Sequence, residues 1–137
     1  MKIRKVTAAE KKGWPRQTLV KLEKPFVDAR GAIQPLVDLE MRSALMISSR
    51  KGTVRANHYH LTDWHYCYVI HGAIDYYERP VGSRRKPKKT RINEGELFWT
   101  PPMVEHAMVF VKDTLFLTLS RNERSQEAYE KDLVRVE

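Results

Sequence analysis

Between Thr18 and Ser120 the chain is a succession of short segments rich in Val, Ile, Leu, Thr and aromatic residues, most of them bounded by Gly, Pro, Asp or Asn. This punctuation constrains the fold more than any other feature, because it leaves no room for a helix of ordinary length. The segments TLVKLEKPFV, AIQPLVDL, SALMISS, RANHYH, WHYCYVIHG, AIDYYERP, KKTRI, GELFWTPP, EHAMVFV and TLFLTLS read as strands. Pro35 demotes AIQPLVDL to an edge, and Asp28-Ala29-Arg30-Gly31 has the residues of a tight turn. Roughly ten strands without helical periodicity predict an antiparallel sandwich or barrel. Only SQEAYEKDLVRV, near the C-terminus, reads as a helix, with Ser125 as its N-cap. No internal repeat or linker divides the sequence, so the expectation is one all-β domain over residues 1–137.

Composition excludes several classes of function. A hydrophobic content of 42% with 31% charged residues is that of a folded globular chain, not a disordered one. MKIRKVTAAEKKG is basic but lacks the apolar core of a signal peptide, and no apolar run approaches the ~18 residues of a membrane helix. The single cysteine, Cys67, excludes an intrachain disulfide and fits a reducing compartment. A cytoplasmic protein that does not enter a membrane is therefore expected. Cys67 lies in an apolar, aromatic run and reads as an inert packed thiol.

The net charge of +8 raises the question of nucleic acid. Seven of the basic residues fall between Arg79 and Arg91, where there is no acidic one. Two prolines, a glycine and a serine make that stretch a loop. It has no interleaved aromatic residues on which bases could stack, so no nucleic-acid partner is expected. It reads as a solvated hairpin loop, with attraction of an anionic small molecule as the functional alternative.

The histidines carry the chemistry. Four of the five (His58, His60, His65, His71) fall within fourteen positions, and the fifth is His106. Alternate side chains of a strand share a face, so His58 and His60 project together while Tyr59 points away. Such a pair is a natural metal clamp that needs further ligands from neighbouring strands. His65 opens the next strand and His106 a much later one. His71 abuts the turn glycine Gly72 and is left out of the set.

The spacing of Gly52, His58, His60, His65 and Gly72 resembles the first motif of the cupin superfamily (residues 52–72), and Gly95, Pro101 and His106 resemble the second (residues 95–110). The resemblance implies a double-stranded β-helix, a jelly-roll barrel, here with a short C-terminal helix. It also implies that His58, His60, His65 and His106 converge on one divalent transition metal, zinc or iron first, nickel or copper as alternatives. His65 stands where the family has glutamate, Met103 replaces a motif glycine, and Phe110 replaces its terminal asparagine. Four neutral imidazoles would leave the ion its full charge and make it a stronger Lewis acid.

FVDARGAIQPL and GTVRANHYH are similar to segments of cupin sugar-nucleotide epimerases and ketoisomerases, with Ala56 where those enzymes usually have glycine. RANHYH also resembles a ligand-bearing strand of polysaccharide-biosynthesis cupins. By this likeness Arg55 and Arg30 would contact a substrate phosphate, a role suited to the planar guanidinium. The matching epimerase histidine is a metal-free base, and His58 cannot ligate a metal and accept a proton at once. The implied activity is Lewis-acid-assisted isomerisation or epimerisation of a nucleotide-linked or phosphorylated sugar. Tyr76, Tyr77 and Glu105 are acid/base candidates, while Tyr66 and Tyr68 have the wrong parity relative to His65. The alternatives are a non-catalytic metal- and sugar-binding module, and a non-haem metal dioxygenase, which needs an open coordination position. Exposed edge strands and the common habit of cupins suggest a homodimer.

Overall fold

Period-two alternation in the strands decides which side chains face inward, and in this chain it produces a barrel that is apolar at one end and polar at the other. The computed structural model describes residues 3–136. Its elements are α1 (Ala8–Lys12), β1 (Leu19–Val20), β2 (Phe26–Asp28), β3 (Gly31–Ile33), β4 (Ser43–Ser49), β5 (Val54–His60), β6 (His65–His71) and β7 (Ala73–Pro80). There follow β8 (Lys88–Asn93), β9 (Leu97–Thr100), β10 (Val104–Phe110), β11 (Thr114–Ser120), α2 (Gln126–Asp132) and β12 (Leu133–Arg135).

The strands form two five-stranded antiparallel sheets, ordered β1-β9-β6-β11-β4 and β12-β5-β10-β7-β8. From β4 to β7 the chain crosses between the sheets at each step. It turns back through the β7–β8 hairpin and crosses again from β8 to β11. This winding is the double-stranded β-helix, or jelly roll, that the cupin resemblance implies, and it is one form of the antiparallel barrel that the strand pattern predicts. On β10 the inward series runs Phe110, Met108, His106; on β6 it runs Val69, Cys67, His65; on β11 it runs Phe116, Thr118, Ser120. One end of each series joins a dry core that also holds Ile74, Tyr76, Ile92 and Phe98. The other end supplies imidazoles and hydroxyls.

The outer face of the first sheet is covered by the N-terminal segment. Trp64, Tyr66, Leu97 and Trp99 pack there against Trp14, Leu22, Val37 and Met41. Arg121 locks this cover down. Its buried guanidinium donates to Glu10 Oε1 at 2.6 Å and to the carbonyls of Arg4 and Lys5. Such a buried pair holds the segment in one place because leaving either charge unpaired would cost several kcal/mol.

Several elements differ from the sequence reading. TLVKLEKPFV is two strands rather than one, since Pro25 has no N–H to donate to a ladder. Of the next predicted strand, AIQPLVDL, only Ala32 and Ile33 are extended, joined to the turn residue Gly31 in β3, which pairs with β2 in a separate hairpin closed at Asp28 and Gly31. The C-terminal helix stops at Asp132, and Leu133–Arg135 returns as a strand against β5. α1, with its reciprocal Thr7–Glu10 capping box, has no counterpart in the prediction. Ser125 does cap α2, accepting from Ala128 N at 3.2 Å.

Gly72, between β6 and β7, has φ +104°, and a Cβ there would press on the backbone of Asp113 and Thr114 at 2.6–2.7 Å. Gly52 also has positive φ (+85°), but open space surrounds it. Gly72→Ala should therefore lower unfolding stability by about 2–4 kcal/mol and Gly52→Ala by only about 1–2 kcal/mol. Urea denaturation of the two variants checks this ranking.

Candidate metal centre

Three imidazoles meet because two adjacent strands of the second sheet carry them. His58 lies directly opposite His106 in the β5–β10 register, and the register then slips, so that Ala107 faces Ala56 and Asn57 is extra. The slip is a β-bulge, with Ala56 at φ 70° and Asn57 at φ 60°. A left-handed conformation favours glycine, which explains why Ala56 occupies a position where glycine would be the relaxed choice. The chain end supports the strained pair: Asn57 Nδ2 donates to Val136 O at 2.9 Å, and Val136 N donates to Asn57 O at 3.0 Å.

The result is a compact trio. His58, His60 and His106 each offer a ring nitrogen within 4.8 Å of the other two. The His58 ring centroid lies 4.8 Å from that of His60 and 4.7 Å from that of His106. Two nitrogens bound to one transition-metal ion at about 2.1 Å are at most about 4.2 Å apart, so small side-chain adjustments close the set around an ion. His65 enters from β6 of the opposite sheet. Its ring is 5.2 Å from His60 and 6.1 Å from His106, beside the trio but outside its 4.8 Å span.

The surroundings prepare the trio as neutral donors. His106 Nδ1 lies 3.2 Å from Val104 O, an oxygen that can only accept, so the proton sits on Nδ1 and Nε2 keeps its lone pair. His60 Nδ1 faces Asp132 Oδ2 at 3.7 Å, which favours the same tautomer. Burial holds all three imidazoles below their ordinary titration range. His58 falls to about 3, through burial first and then the neighbouring His60 and His65 rings and the Arg135 and Arg124 charges. His60 and His106 are displaced in the same direction, again chiefly by burial. Burial alone would raise the Asp132 carboxyl, but His60, Thr62 and the Asp63 N–H hold it below the usual carboxylate value. Neutral imidazoles, two of them buried and oriented from behind and the third half-buried, fit a divalent transition-metal ion.

The trio lines one wall of a cavity of about 170 Å³. The facing wall belongs to the first sheet and presents His65, Thr100, Thr118 and Ser120. Arg55 stands at the cavity margin, with Nε donating to Ser49 Oγ at 2.7 Å and one terminal nitrogen donating to Ser48 O at 3.0 Å. It also lines an open groove of about 690 Å³ outside. Arg30 is elsewhere: it lies exposed on the β2–β3 hairpin, ion-paired to Asp28 at 2.6 Å, and is not part of the cavity wall. His71 is also outside, 2.9 Å from Glu94.

None of the three acid/base candidates lines the cavity. Tyr76 is wholly buried behind His106, its hydroxyl 3.0 Å from Thr100 Oγ1. Glu105 pairs with Arg79 at 3.0 Å, and Tyr77 has the outward parity of β7. Cys67 does line the cavity, but burial pushes its thiol up to about 12 and leaves it unreactive. Sequence reasoning missed Asp63, Asp132, Arg124 and Tyr129. Asp63 lies 3.6 Å from His65 Nδ1, and Arg124 and Tyr129 both face the cavity. The Ser125 cap located the helix that carries Tyr129 and Asp132, but no sequence signal says that this helix closes the barrel mouth.

No protein-family model and no curated protein matches the chain. Among solved structures it is similar to the TDP-fucose-3,4-ketoisomerase WlaRA from Campylobacter jejuni, with 17% identity, TM-score 0.70, and coverage of 85% of this chain and 87% of that one. The sugar 3,4-ketoisomerase QdtA from Thermoanaerobacterium thermosaccharolyticum, crystallised with TDP, gives 18% identity, TM-score 0.68 and 85% coverage of both chains. The dTDP-4-dehydrorhamnose 3,5-epimerase from Sulfolobus tokodaii gives 20%, 0.63, and 82% and 80%. At these identities the likeness establishes a shared jelly-roll fold. No helix of the described residues is long and apolar enough to cross a membrane.

Two outcomes are expected. His58→Ala, His60→Ala and His106→Ala should each abolish stoichiometric zinc or iron retention measured by elemental analysis. His65→Ala reports whether the fourth imidazole belongs to the set: retained occupancy with unchanged affinity makes it a three-residue centre. In chelator-treated protein the trio should also make stability pH-dependent. The unfolded chain takes up protons on these histidines below pH 6.5, whereas the folded chain does not until about pH 3 at His58. Stability is therefore full above 6.5 and falls as pH drops through that window, so the urea midpoint should be lower at pH 5 than at pH 7.5.

Proposed function

We propose that this chain is a metal-dependent isomerase or epimerase acting on a nucleotide-linked or phosphorylated sugar in polysaccharide biosynthesis. The observation that carries the reading is the buried imidazole trio inside a cavity whose facing wall is lined with hydroxyls and whose margin holds Arg55. The three ketoisomerase and epimerase structures of like fold favour it. His58, His60 and His106 would hold one divalent ion, zinc or iron first, nickel or copper as alternatives, with His65 as the fourth ligand to be tested. When bound, that ion supplies a Lewis acid that polarises a sugar carbonyl or hydroxyl.

The remaining roles fall to the chain itself. A cavity of about 170 Å³ has room for a single sugar-sized group. Thr100, Thr118 and Ser120 would exchange hydrogen bonds with its hydroxyls. Phe98, Phe116 and Met108 wall the cavity with apolar surface and restrict water. Arg55, which lines both the cavity and the outer groove, would meet the phosphate, and the groove has space for the remainder of a nucleotide. Proton transfer would fall to a group that faces the cavity: Tyr129, whose ring is 6.1 Å from His60, or His65 backed by Asp63. A homodimer fits the exposed apolar hairpin, where Phe26, Val27 and Ile33 lie more than half exposed.

A second reading, a non-haem metal dioxygenase, draws on the same trio, because three protein ligands leave coordination positions open in any common geometry. Solvent deuterium should wash into a TDP-4-keto sugar incubated with the metal-loaded protein, and the rate should fall at least about 100-fold on chelation. Tight ligand binding without exchange would instead indicate a non-catalytic metal- and sugar-binding module. Bound iron with oxygen consumption would indicate the dioxygenase.

A further inference from the structure

We propose that Arg124 is a specificity-determining anion anchor at the cavity mouth, held in position by the Tyr129 ring, and that it selects substrates carrying a diphosphate. The proposal rests on the sugar-nucleotide reading above and deepens it. Arg124 lies in the turn between β11 and α2, three residues beyond the buried Arg121. The two arginines differ in what they have left to offer. Arg121 spends its donors on Glu10, Asn122 and two backbone carbonyls. Arg124 makes no hydrogen bond or ion pair with any other described residue. Its guanidinium carbon instead sits 3.8 Å above the Tyr129 ring.

That stacking has a definite consequence. A guanidinium laid on an aromatic face is fixed in plane, while its N–H donors around the edge remain available. An oxyanion arriving at the mouth would meet pre-oriented donors and lose little rotamer entropy in engaging them. Other arginines near the β-sheet margins are already paired: Arg79 with Glu105, Arg91 with Asp75 and Arg135 with Glu130. Arg55 retains only part of its fork, since Ser49 and the Ser48 carbonyl take two of its donors.

Charge points the same way. The cavity is lined by two cations, Arg55 and Arg124, and one carboxylate, Asp63. Asp63 is already engaged by the Asn122 N–H at 2.9 Å and lies beside His65. The mouth therefore carries uncompensated positive charge next to the imidazole trio. An anion of two or more charges, shared between Arg55 and Arg124, answers that excess better than a neutral sugar does.

The test measures TDP binding by titration calorimetry on the full chain, metal-loaded and chelator-treated, with thymidine as the uncharged comparison. Arg124→Ala should weaken TDP binding about 10- to 100-fold in both forms while changing thymidine binding and metal content little. Arg124→Lys should recover only part of the loss, because lysine lacks the planar fork. Tyr129→Leu, which removes the ring beneath the guanidinium, should weaken TDP binding towards the level of Arg124→Ala. In turnover, the loss in the Arg124 variants should appear more in KM than in kcat. TDP affinity within about twofold of the unaltered chain in Arg124→Ala would overturn the proposal. So would an equal loss for thymidine, or failure of the unaltered chain to bind TDP. Arg124-dependent TDP binding without proton exchange on any keto sugar would leave the anchor standing and remove the isomerase reading.

Discussion

The site depends on the seam between β5 and β10. The antiparallel pairing places His58 opposite His106, and the single-residue slip beside them turns β5 so that both of its histidines enter the barrel. Two consecutive non-glycine residues in the left-handed region are costly, at about 1–2 kcal/mol each. The cost is tolerated because β12 and the residue after it clasp the bulge through Asn57 and Val136. The end of the chain thus supports a strained feature near its middle, and the two together set the direction of the ligand atoms.

Burying imidazoles is the second constraint. A charged histidine in this position would be repelled by its neighbours and deprived of solvent, so all three of the trio are held neutral. Neutrality requires a tautomer, and Val104 O and Asp132 impose one on two of them from behind. The polar end of the barrel is therefore built from outside inwards. Asp132 is held by Thr62 and the Asp63 N–H, and His60 faces Asp132 at 3.7 Å.

How far the sequence disclosed this differs by level. Alternating strands and turn residues made an antiparallel sandwich or barrel legible, since period two is a local property and each strand declares its own face; the jelly-roll winding was implied only by the cupin resemblance. Strand spacing paired His58 with His60 for the same reason, and the cupin resemblance added His65 and the distant His106; the structure brings His58, His60 and His106 within 4.8 Å of one another and leaves His65 beside them. Arg30 was legible as a turn residue and equally as an anion contact, and its place on an exposed hairpin away from the cavity is a tertiary fact. Arg124, Tyr129 and Asp132 were hidden because nothing local marks a short amphipathic helix as the cover of a barrel. β12 was hidden for a related reason: three residues become a strand only because β5 offers an unpaired edge.

The position of His65 shows why three of the four imidazoles form a set more readily than four. His58, His60 and His106 lie on strands of one sheet, joined by backbone hydrogen bonds that fix their spacing to within the freedom of a rotamer. His65 belongs to the other sheet, and its distance from the trio depends on the gap between two sheets held apart by side-chain packing. Packed layers shift relative to one another more easily than paired strands do. Asp63, on the connection that leads into β6, lies 3.6 Å from His65 on that side of the gap. A trio fixed by backbone pairing therefore keeps its mutual spacing, whereas the fourth imidazole keeps its place only through the packing of one sheet on the other.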